Sequence, residues 1–427
     1  MLLGTGKAII TPPLGTPLAG FGFRDHGAEA VRDDLEVRVL WFRSSSAPGD
    51  EACIVTADLI GFGAQITERI RAEVGSRFGL GAERLLLSAS HTHSGPQTVE
   101  SMVATGEIVT SVLAEIEAQI YIAIEAARDH LHPVTMHLGM GECAGFAINR
   151  RKLENGIFRN APNPDGIRDN TVTVLSYQDL HDNSVRAILF HFTCHPTTMG
   201  DYSVTADFPG AARRHIEKSL GGEAIAAFLP GCFGDVRPNC AIIGGKRFRK
   251  GVAEDLVEFG QALGGEVVRL LKTEMKSVLP RLFGQTSDIQ LELQSHPDRE
   301  TLKRYKKSGT SVEKQWATKL LSAPFTDHRT LTLQRLDLAD GVILVAMGGE
   351  ICCQIGLTIR KMQSENFLLP LGYSNGLVGY ICPESMVAEG GYEPDESTKY
   401  FGLPSAFQPN SEKRLLAAVE SLLQASI

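Results

Sequence analysis

Residues 84–96 read RLLLSASHTHSGP, an apolar run that ends in a polar loop with two histidines. The apolar part has the length and composition of a buried strand, and the glycine and proline that follow are typical of a turn. His91 and His93 lie two positions apart, so in an extended chain both imidazoles would leave the same face. The stretch therefore predicts a strand with two chemically active side chains at its carboxyl end.

The same arrangement recurs three times further along the chain, where an apolar strand again runs into a short polar loop. These loops hold His195 after 185–193, the segment GCFGDVRPN (231–239) after 224–230, and Glu350 after 342–347. In open α/β sheets, ligands bind outside the carboxyl ends of the strands. We therefore expect the four loops to converge on one pocket.

Apolar strands alternate with amphipathic helical stretches along the chain, which is typical of an α/β fold. We predict mixed β-sheets with flanking helices and an active site at the strand carboxyl ends, in a single catalytic domain over residues 1–427. The predicted helices span 64–79, 107–129, 209–219, 252–274, 298–321, 351–363 and 411–424. The predicted strands span 36–43, 52–57, 84–90, 133–139, 171–177, 185–193, 224–229, 329–337 and 342–347.

One segment, 285–328, is a candidate insertion because it is rich in lysine, arginine, glutamate and serine. The interpretation that we favour is a solvated surface helix, and a lid over the active site is the alternative. No linker-like stretch separates the segment from its surroundings, so it is treated as part of the one domain.

Composition excludes several classes of function. The net charge of −8 gives no general attraction to nucleic acid or to an anionic membrane. No apolar run approaches the ~20 residues that span a bilayer, so stable membrane insertion is not expected. We recognise no signal peptide and no CxxC pair among the eight cysteines, which favours reduced thiols and a cytoplasmic location. The sequence predicts no particular oligomeric state.

The histidines and the glutamate of these loops indicate a metal site. Two imidazoles and one carboxylate are a familiar ligand set for catalytic Zn²⁺, with a further position open for water or substrate. His91 and His93 would supply two ligands, or one ligand and one acid–base group, beside His195 and Glu350. The alternative is that each histidine is an ordinary hydrogen-bonded residue, because ligands this far apart in sequence form a weak pattern.

Six features, in order, resemble those of the neutral/alkaline non-lysosomal ceramidases. They are SHTHSGP at 90–96, INR at 148–150, HPT at 195–197, GDVRPN at 234–239, GE at 349–350, and the tyrosines Tyr380 and Tyr392. The opening IITPP at 9–13 is also similar to the start of that family's catalytic domain. Because all of them occur in the family's order, the chain is identified as a member of this family.

The resemblance implies a zinc-dependent amide hydrolase with one Zn²⁺ per chain and a small-molecule N-acyl substrate. It implies that the zinc ligands are His91, His195, Glu350 and Tyr380, with Tyr373 as an alternative to Tyr380. It implies that the substrate carbonyl is surrounded by His93, Arg150 and Tyr392, where cationic or hydroxyl donors stabilise an oxyanion.

One residue departs from the family's pattern. The serine of the family's GDVSPN segment, which some mechanisms treat as the nucleophile, is Arg237 here. Arginine cannot form an acyl ester, so water becomes the expected nucleophile, with His93 or a carboxylate accepting its proton. Arg237 and Asp235 are predicted substrate-binding residues, and Arg237 is expected to bind an anionic group. The alternative is a salt bridge between Arg237 and Asp235 or another carboxylate.

The family's secretion signal and carboxy-terminal accessory domain are not recognised in the sequence, so we expect a substrate smaller or more polar than ceramide. Zinc chemistry does not by itself distinguish amides from esters. Two alternatives therefore stay open: a zinc esterase, lactonase or deacetylase, and a non-catalytic zinc-containing binding protein.

Overall fold

The computed structural model describes residues 1–47, 49–239, 242–273, 275–322, 324 and 326–424, with the backbone alone at 242 and 243. Cys240, the last residue of the predicted helix 252–274, and residues 323 and 325 of the segment 285–328 lie outside the described residues.

The strands of the described residues are β1 (Leu2–Ile9), β2 (Ala30–Val31), β3 (Glu36–Arg43), β4 (Glu51–Ala57), β5 (Leu85–Ala89), β6 (Leu131–Glu142), β7 (Ala147–Glu154), β8 (Ile157–Asn163), β9 (Thr171–Asp179), β10 (Val185–Phe192), β11 (Ser203–Val204), β12 (Ile225–Pro230), β13 (Val236–Pro238), β14 (Ile242–Ile243), β15 (Arg247–Phe248), β16 (Lys276–Val278), β17 (Pro280–Glu292), β18 (His328–Ala339), β19 (Val342–Met347), β20 (Glu350–Ile351), β21 (Phe367–Leu371) and β22 (Tyr380–Ile381). The helices are α1 (Ala64–Phe78), α2 (Thr110–Asp129), α3 (Asp207–Ser219), α4 (Ala253–Leu271), α5 (Arg299–Ser308), α6 (Ser311–Ser322), α7 (Cys353–Arg360), α8 (Glu384–Glu389), α9 (Ser397–Tyr400) and α10 (Ser411–Gln424).

The larger sheet carries the loops with His91 and His195. Its strand order is β12–β10–β9–β6–β1–β3–β4–β5, with β16 beside β6. Pairing is parallel between β4 and β5 and between β10 and β12, and it is antiparallel between the other neighbours in this order. The sheet curls, since β5 and β12 at its two ends contact each other. The curl brings together the loops that follow β5, β10 and β12.

The smaller sheet, β17–β18–β19–β21, packs on the larger one and leads to Glu350. β19 ends at Met347, and the turn Gly348–Gly349 connects it to Glu350. Apolar side chains from the inner faces of both sheets fill the space between them, as in other stacked sheets. They include Leu40, Leu86 and Leu189 from the larger sheet and Leu336, Leu344 and Leu369 from the smaller one.

The helices cover the outer faces of both sheets. α1 and α2 pack on β1 and β3–β5, and Gly6 lets β1 approach α2 closely, because a Cβ there would lie 2.0 Å from the Ala123 carbonyl oxygen. α3 and α4 pack on β9, β10 and β12, and α7 and α10 pack on the smaller sheet. The predicted α/β fold with mixed sheets and flanking helices is confirmed.

The segment 285–328 differs from the single surface helix that we favoured. It begins inside β17, which pairs with β18 along most of its length, and it continues as α5 and α6. Leu302 of α5 packs with Trp316 and Leu320 of α6, and the Trp316 indole donates to the Leu403 carbonyl at 2.7 Å. The segment 285–328 thus forms most of a strand and two helices that pack on each other, and the expected single surface helix is wrong. Whether the segment is an insertion or a lid stays a prediction.

Two further expectations concern the cysteines and the membrane. The seven cysteines that the structure describes are buried and form no disulfide, as expected for reduced thiols. Within the described part of the chain, no helix has both the length and the apolar character required to cross a bilayer. The cytoplasmic location stays a prediction.

Candidate metal centre and catalytic cavity

His91 is held by the backbone of the loop beside it. Its amide donates to the Leu59 carbonyl at 2.9 Å, and its Nδ1 donates to the Ile60 carbonyl at 2.5 Å. Nε2 therefore carries the lone pair of the neutral ring. The residue has φ of 67°, a conformation that costs on the order of 1–3 kcal/mol and persists only where the surrounding structure enforces it.

His195 is oriented in the same way by the loop 231–239. Its amide donates to the Val236 carbonyl at 3.1 Å, and its Nδ1 donates to the Phe233 carbonyl at 2.9 Å. Its Nε2 is buried and has no hydrogen-bond partner among the described residues. A backbone carbonyl on one ring nitrogen is the usual way in which proteins orient a metal-binding histidine.

Glu350 lies between these two imidazoles. Its Oε1 is 3.5 Å from Nε2 of His91, and its Oε2 is 3.3 Å from Nε2 of His195. The pairing of β20 with β22 places Tyr380 directly opposite Glu350, and the Tyr373 hydroxyl donates to Glu350 Oε2 at 3.4 Å. All five side chains are buried.

The donor atoms have the spacing and the charge state of a metal site. Ligands on a tetrahedral ion with bonds of ~2.0–2.1 Å lie ~3.3 Å apart, close to the separations around Glu350. Burial lowers the pKa of His91 to about 4 and that of His195 well below its usual value, so both rings are neutral. Burial also raises the pKa of Glu350, a penalty that a cation between the three side chains would offset. The residues present therefore fit a zinc ion.

His93 is close to both imidazoles but is held differently. Its Nε2 lies 3.2 Å from Nε2 of His91, and ring nitrogens of His91, His93 and His195 all lie within 4.8 Å of one another. Its Nδ1 is buried without a hydrogen-bond partner in the described part of the chain. Gly20 packs against this ring, where a Cβ would lie 2.4 Å from Nδ1. Backbone carbonyls thus orient His91 and His195 as ligands but do not orient His93.

Arg150, from β7, places a buried guanidinium beside two tyrosine rings. Its Nη2 donates to the Tyr380 hydroxyl at 2.9 Å, and its Cζ lies 5.6 Å and 5.3 Å from the ring centroids of Tyr380 and Tyr392. Burial alone would lower the pKa of Arg150, but Tyr380 and Glu393 raise it well above its usual value. The guanidinium therefore keeps its charge although it is buried.

Arg237 lines the cavity, whereas Asp235 does not. The Arg237 guanidinium lies over the Phe248 ring, 4.1 Å from its centroid. The Asp235 carboxylate accepts hydrogen bonds from the Asn149 side chain at 2.8 Å and from the Cys353 amide at 2.7 Å. Asp235 therefore fixes the loop 231–239 through hydrogen bonds outside the cavity. The substrate contact predicted for Asp235 does not fit this geometry.

Most of the predicted site residues line a single cavity of about 430 Å³. Those that line it are His91, His93, Arg150, Arg237, Glu350, Tyr380 and Tyr392. His195 adjoins it through its contact with Glu350. The four strand-end loops thus converge, as the sequence pattern indicates.

Residues 20–23 form a wall of this cavity that the sequence does not predict. The rings of Phe21 and His93 are 4.9 Å apart. Arg24 fixes the loop by donating to the carbonyls of Ala19 at 2.7 Å and His93 at 2.6 Å. The sequence GFGFR at 20–24 holds glycines and aromatic residues but no group that indicates a catalytic role. Other lining residues without a sequence signal include Asn160, Tyr400 and Phe401.

The family model described as neutral/alkaline non-lysosomal ceramidase, N-terminal, matches residues 1–253. The chain belongs to this ceramidase family. The family membership that the sequence motifs predict is therefore confirmed.

Two curated ceramidases from Dictyostelium discoideum are similar to this chain. Neutral ceramidase B is 31% identical over an alignment of 172 residues that covers 36% of this chain and 24% of that protein. Neutral ceramidase A is 26% identical over an alignment of 257 residues that covers 56% of this chain and 36% of that protein. The matched part of the chain thus spans less than half the length of either ceramidase.

Solved ceramidase structures share the fold over nearly the whole chain. The neutral ceramidase from Pseudomonas aeruginosa has a TM-score of 0.76 at 17% identity, covering 99% of this chain and 73% of that chain. A ceramidase complexed with C2 has a TM-score of 0.75 at 17% identity, covering 99% of this chain and 74% of that chain. At this identity the similarity establishes the ceramidase fold alone.

Proposed function

We propose that this ceramidase-family chain is a zinc-dependent hydrolase that cleaves a carboxamide (N-acyl) bond in a substrate smaller or more polar than ceramide. One observation carries the proposal. Two imidazoles oriented by backbone carbonyls and one buried carboxylate direct their metal-binding atoms at one another beside a 430 Å³ cavity. Family membership supports an amide as the target bond.

One zinc ion would be held by His91, His195, Glu350 and Tyr380. Tyr380 is preferred to Tyr373 because it lines the cavity and lies opposite Glu350 in the strand pair, whereas Tyr373 does not line the cavity. Zinc held in this position would act as a Lewis acid toward the substrate carbonyl and would lower the pKa of the attacking water.

His93 is the proposed acceptor of the proton from the attacking water. Burial, together with His91 and His195, lowers the pKa of His93 well below its usual value, so its ring is neutral and holds a free lone pair, while the same shift makes it a weaker base than a free imidazole. The same imidazole can return this proton to the leaving amine. Because Arg237 occupies the position of the family's serine, the proposal contains no acyl-enzyme.

Arg150 and Tyr392 are the proposed donors to the oxyanion that develops on the carbonyl oxygen. Both line the cavity, and Arg150 carries a permanent charge. Burial raises the pKa of Tyr392, so its hydroxyl keeps its proton and can donate it in a hydrogen bond. Donors fixed before the reaction stabilise such a charge without reorganisation.

Arg237 is the proposed determinant of substrate class. Its guanidinium is half-buried on the cavity wall and is held over Phe248. The planar fork of nitrogen donors suits a carboxylate. We therefore expect a substrate with an anionic group near the scissile amide, such as an N-acyl amino acid.

Hydrolysis assays on the purified full chain test this function. We expect amine release from N-acyl amino acids, loss of activity when a chelator removes the metal, and recovery when zinc is added back. Neutral N-acyl amines and matched esters serve as comparison substrates. Activity on esters alone, O-acetyl esters included, would indicate an esterase, a lactonase or an O-deacetylase. Binding without turnover would indicate a non-catalytic protein, and each of these outcomes contradicts the proposal.

A further inference from the structure

A buried ion network stands behind the cavity wall. Glu393 is 2% exposed and accepts hydrogen bonds from Arg150 Nε at 2.8 Å and from Arg151 Nη1 at 2.6 Å. Burial opposes the charged form of Glu393, but Arg150 and Arg151 lower its pKa below its usual value, so the carboxylate is ionised. Glu393 does not line the cavity, so it acts there only through its partners.

Arg150 is the partner that reaches the cavity. Its Nε is bound to Glu393, and its Nη2 donates to the Tyr380 hydroxyl. Because the guanidinium is planar and rigid, fixing Nε sets the direction of the other nitrogens. Arg151 has other contacts, to Glu389 Oε2 at 3.2 Å and to the Gly390 carbonyl at 2.8 Å, and it does not line the cavity.

We infer that Glu393 is a positioning residue for the proposed amide hydrolysis, because it holds the Arg150 guanidinium where the substrate carbonyl oxygen gains charge. The inference rests on the proposed function, since it assigns Glu393 to the same reaction. Glu393 directly follows the cavity-lining Tyr392 in a π-helical turn, Tyr392–Glu396. The segment Tyr392–Glu396 thus carries both Tyr392, a proposed oxyanion donor, and Glu393, whose carboxylate orients Arg150.

Replacing Glu393 by glutamine keeps the shape of the side chain and removes its charge. We expect Glu393→Gln to lower kcat about tenfold and to change KM by less than about twofold, because the contact that Arg150 makes strengthens in the transition state. Glu389→Gln is the matched control, because Glu389 contacts Arg151 but not Arg150. We expect the kcat of this variant to equal that of the wild type. A wild-type kcat in Glu393→Gln would overturn the inference.

Two double variants separate positioning from a general structural role. If Glu393 acts through Arg150, adding Glu393→Gln to Arg150→Lys has little further effect on kcat, whereas adding it to Arg151→Lys keeps the tenfold loss. Equal losses in the two backgrounds would overturn the inference. If Glu393→Gln does not fold, Glu393→Asp replaces it in both backgrounds, with the same non-additivity expected.

A crystal structure of the folded variant distinguishes failure of the inference from failure of the proposed function. If the wild-type protein hydrolyses no N-acyl substrate, the proposed function is refuted. The crystal structure of the variant would still show whether Glu393 holds Arg150 in place. We expect Arg150 Nη2 to leave its 2.9 Å contact with the Tyr380 hydroxyl while the rest of the cavity is unchanged. An Arg150 side chain in its original position would overturn the inference.

Discussion

His195→Ala is expected to remove bound zinc and hydrolytic activity together. His195 supplies one of the two carbonyl-oriented nitrogens, and its loss leaves the buried Glu350 beside a single oriented imidazole. We expect the zinc content to fall from one ion per chain to trace levels. We expect kcat/KM to fall by roughly 10³-fold or more, as when a central catalytic group is lost. Elemental analysis and N-acyl amino acid hydrolysis on the same preparation measure both.

His191→Gln is the matched control for this variant. His191 lies on β10, just before the loop that holds His195, is also buried, and has Nε2 3.2 Å from the Pro370 carbonyl oxygen. The control is expected to keep its zinc and its turnover, even where its thermal stability is lower. A His195→Ala protein with one zinc per chain would contradict the ligand assignment. Loss of zinc from both variants would indicate unfolding.

Arg237→Ser is expected to shift substrate preference from anionic towards neutral N-acyl substrates. A charge-assisted hydrogen bond to a carboxylate contributes about 1.5–3 kcal/mol, which corresponds to roughly a tenfold to hundredfold change in binding or rate. The ratio of kcat/KM for an N-acyl amino acid to that for its neutral amide derivative should fall by this factor. The neutral substrate itself should be affected little.

Arg247→Ser controls for the loss of one positive charge near the cavity. Arg247 is exposed on β15, next to the Phe248 that supports Arg237. Its replacement should leave the ratio unchanged, because an exposed charge is screened by solvent. An unchanged ratio in Arg237→Ser, or an equal shift in both variants, would rule out direct recognition of the anionic group by Arg237.

The strand ends were predictable because their physical origin is local. β5 and β19 are buried along their whole length, so their sequences are apolar except for Ser88, and the polar residues that follow them mark the loops. The convergence of these loops depends on the curl of the larger sheet and on the packing of the smaller one, which no local pattern specifies. The order of the family motifs supplied that information.

The geometry at His91 and His93 was predicted for the wrong reason. Period-two spacing puts both side chains on one face only if the backbone is extended. His91 instead has φ of 67°, so the chain turns there, and the two imidazoles meet across the turn at 3.2 Å. The two histidines are neighbours as expected, but the carbonyl of Ile60 rather than a strand fixes the ligand orientation of His91.

Two other features, the strand β17 and the ion pair of Glu393, could not be predicted from the sequence, for different reasons. β17 is an edge strand with many exposed residues, so its polar composition resembles that of a surface segment. Glu393 lies in the sequence YEPDE, where nothing distinguishes it from Asp395 and Glu396. Its pairing with Arg150 joins residues 243 positions apart, and only the folded chain brings them together.

Anomalous diffraction at the zinc absorption edge, from crystals grown with zinc, tests the metal centre most directly. We expect one peak per chain, bound by Nε2 of His91 and of His195, by the Glu350 carboxylate and by the phenol oxygen of Tyr380, at ~2.0–2.2 Å. A peak held without His195 or Glu350, or zinc-saturated crystals with no peak beside the cavity, would contradict it.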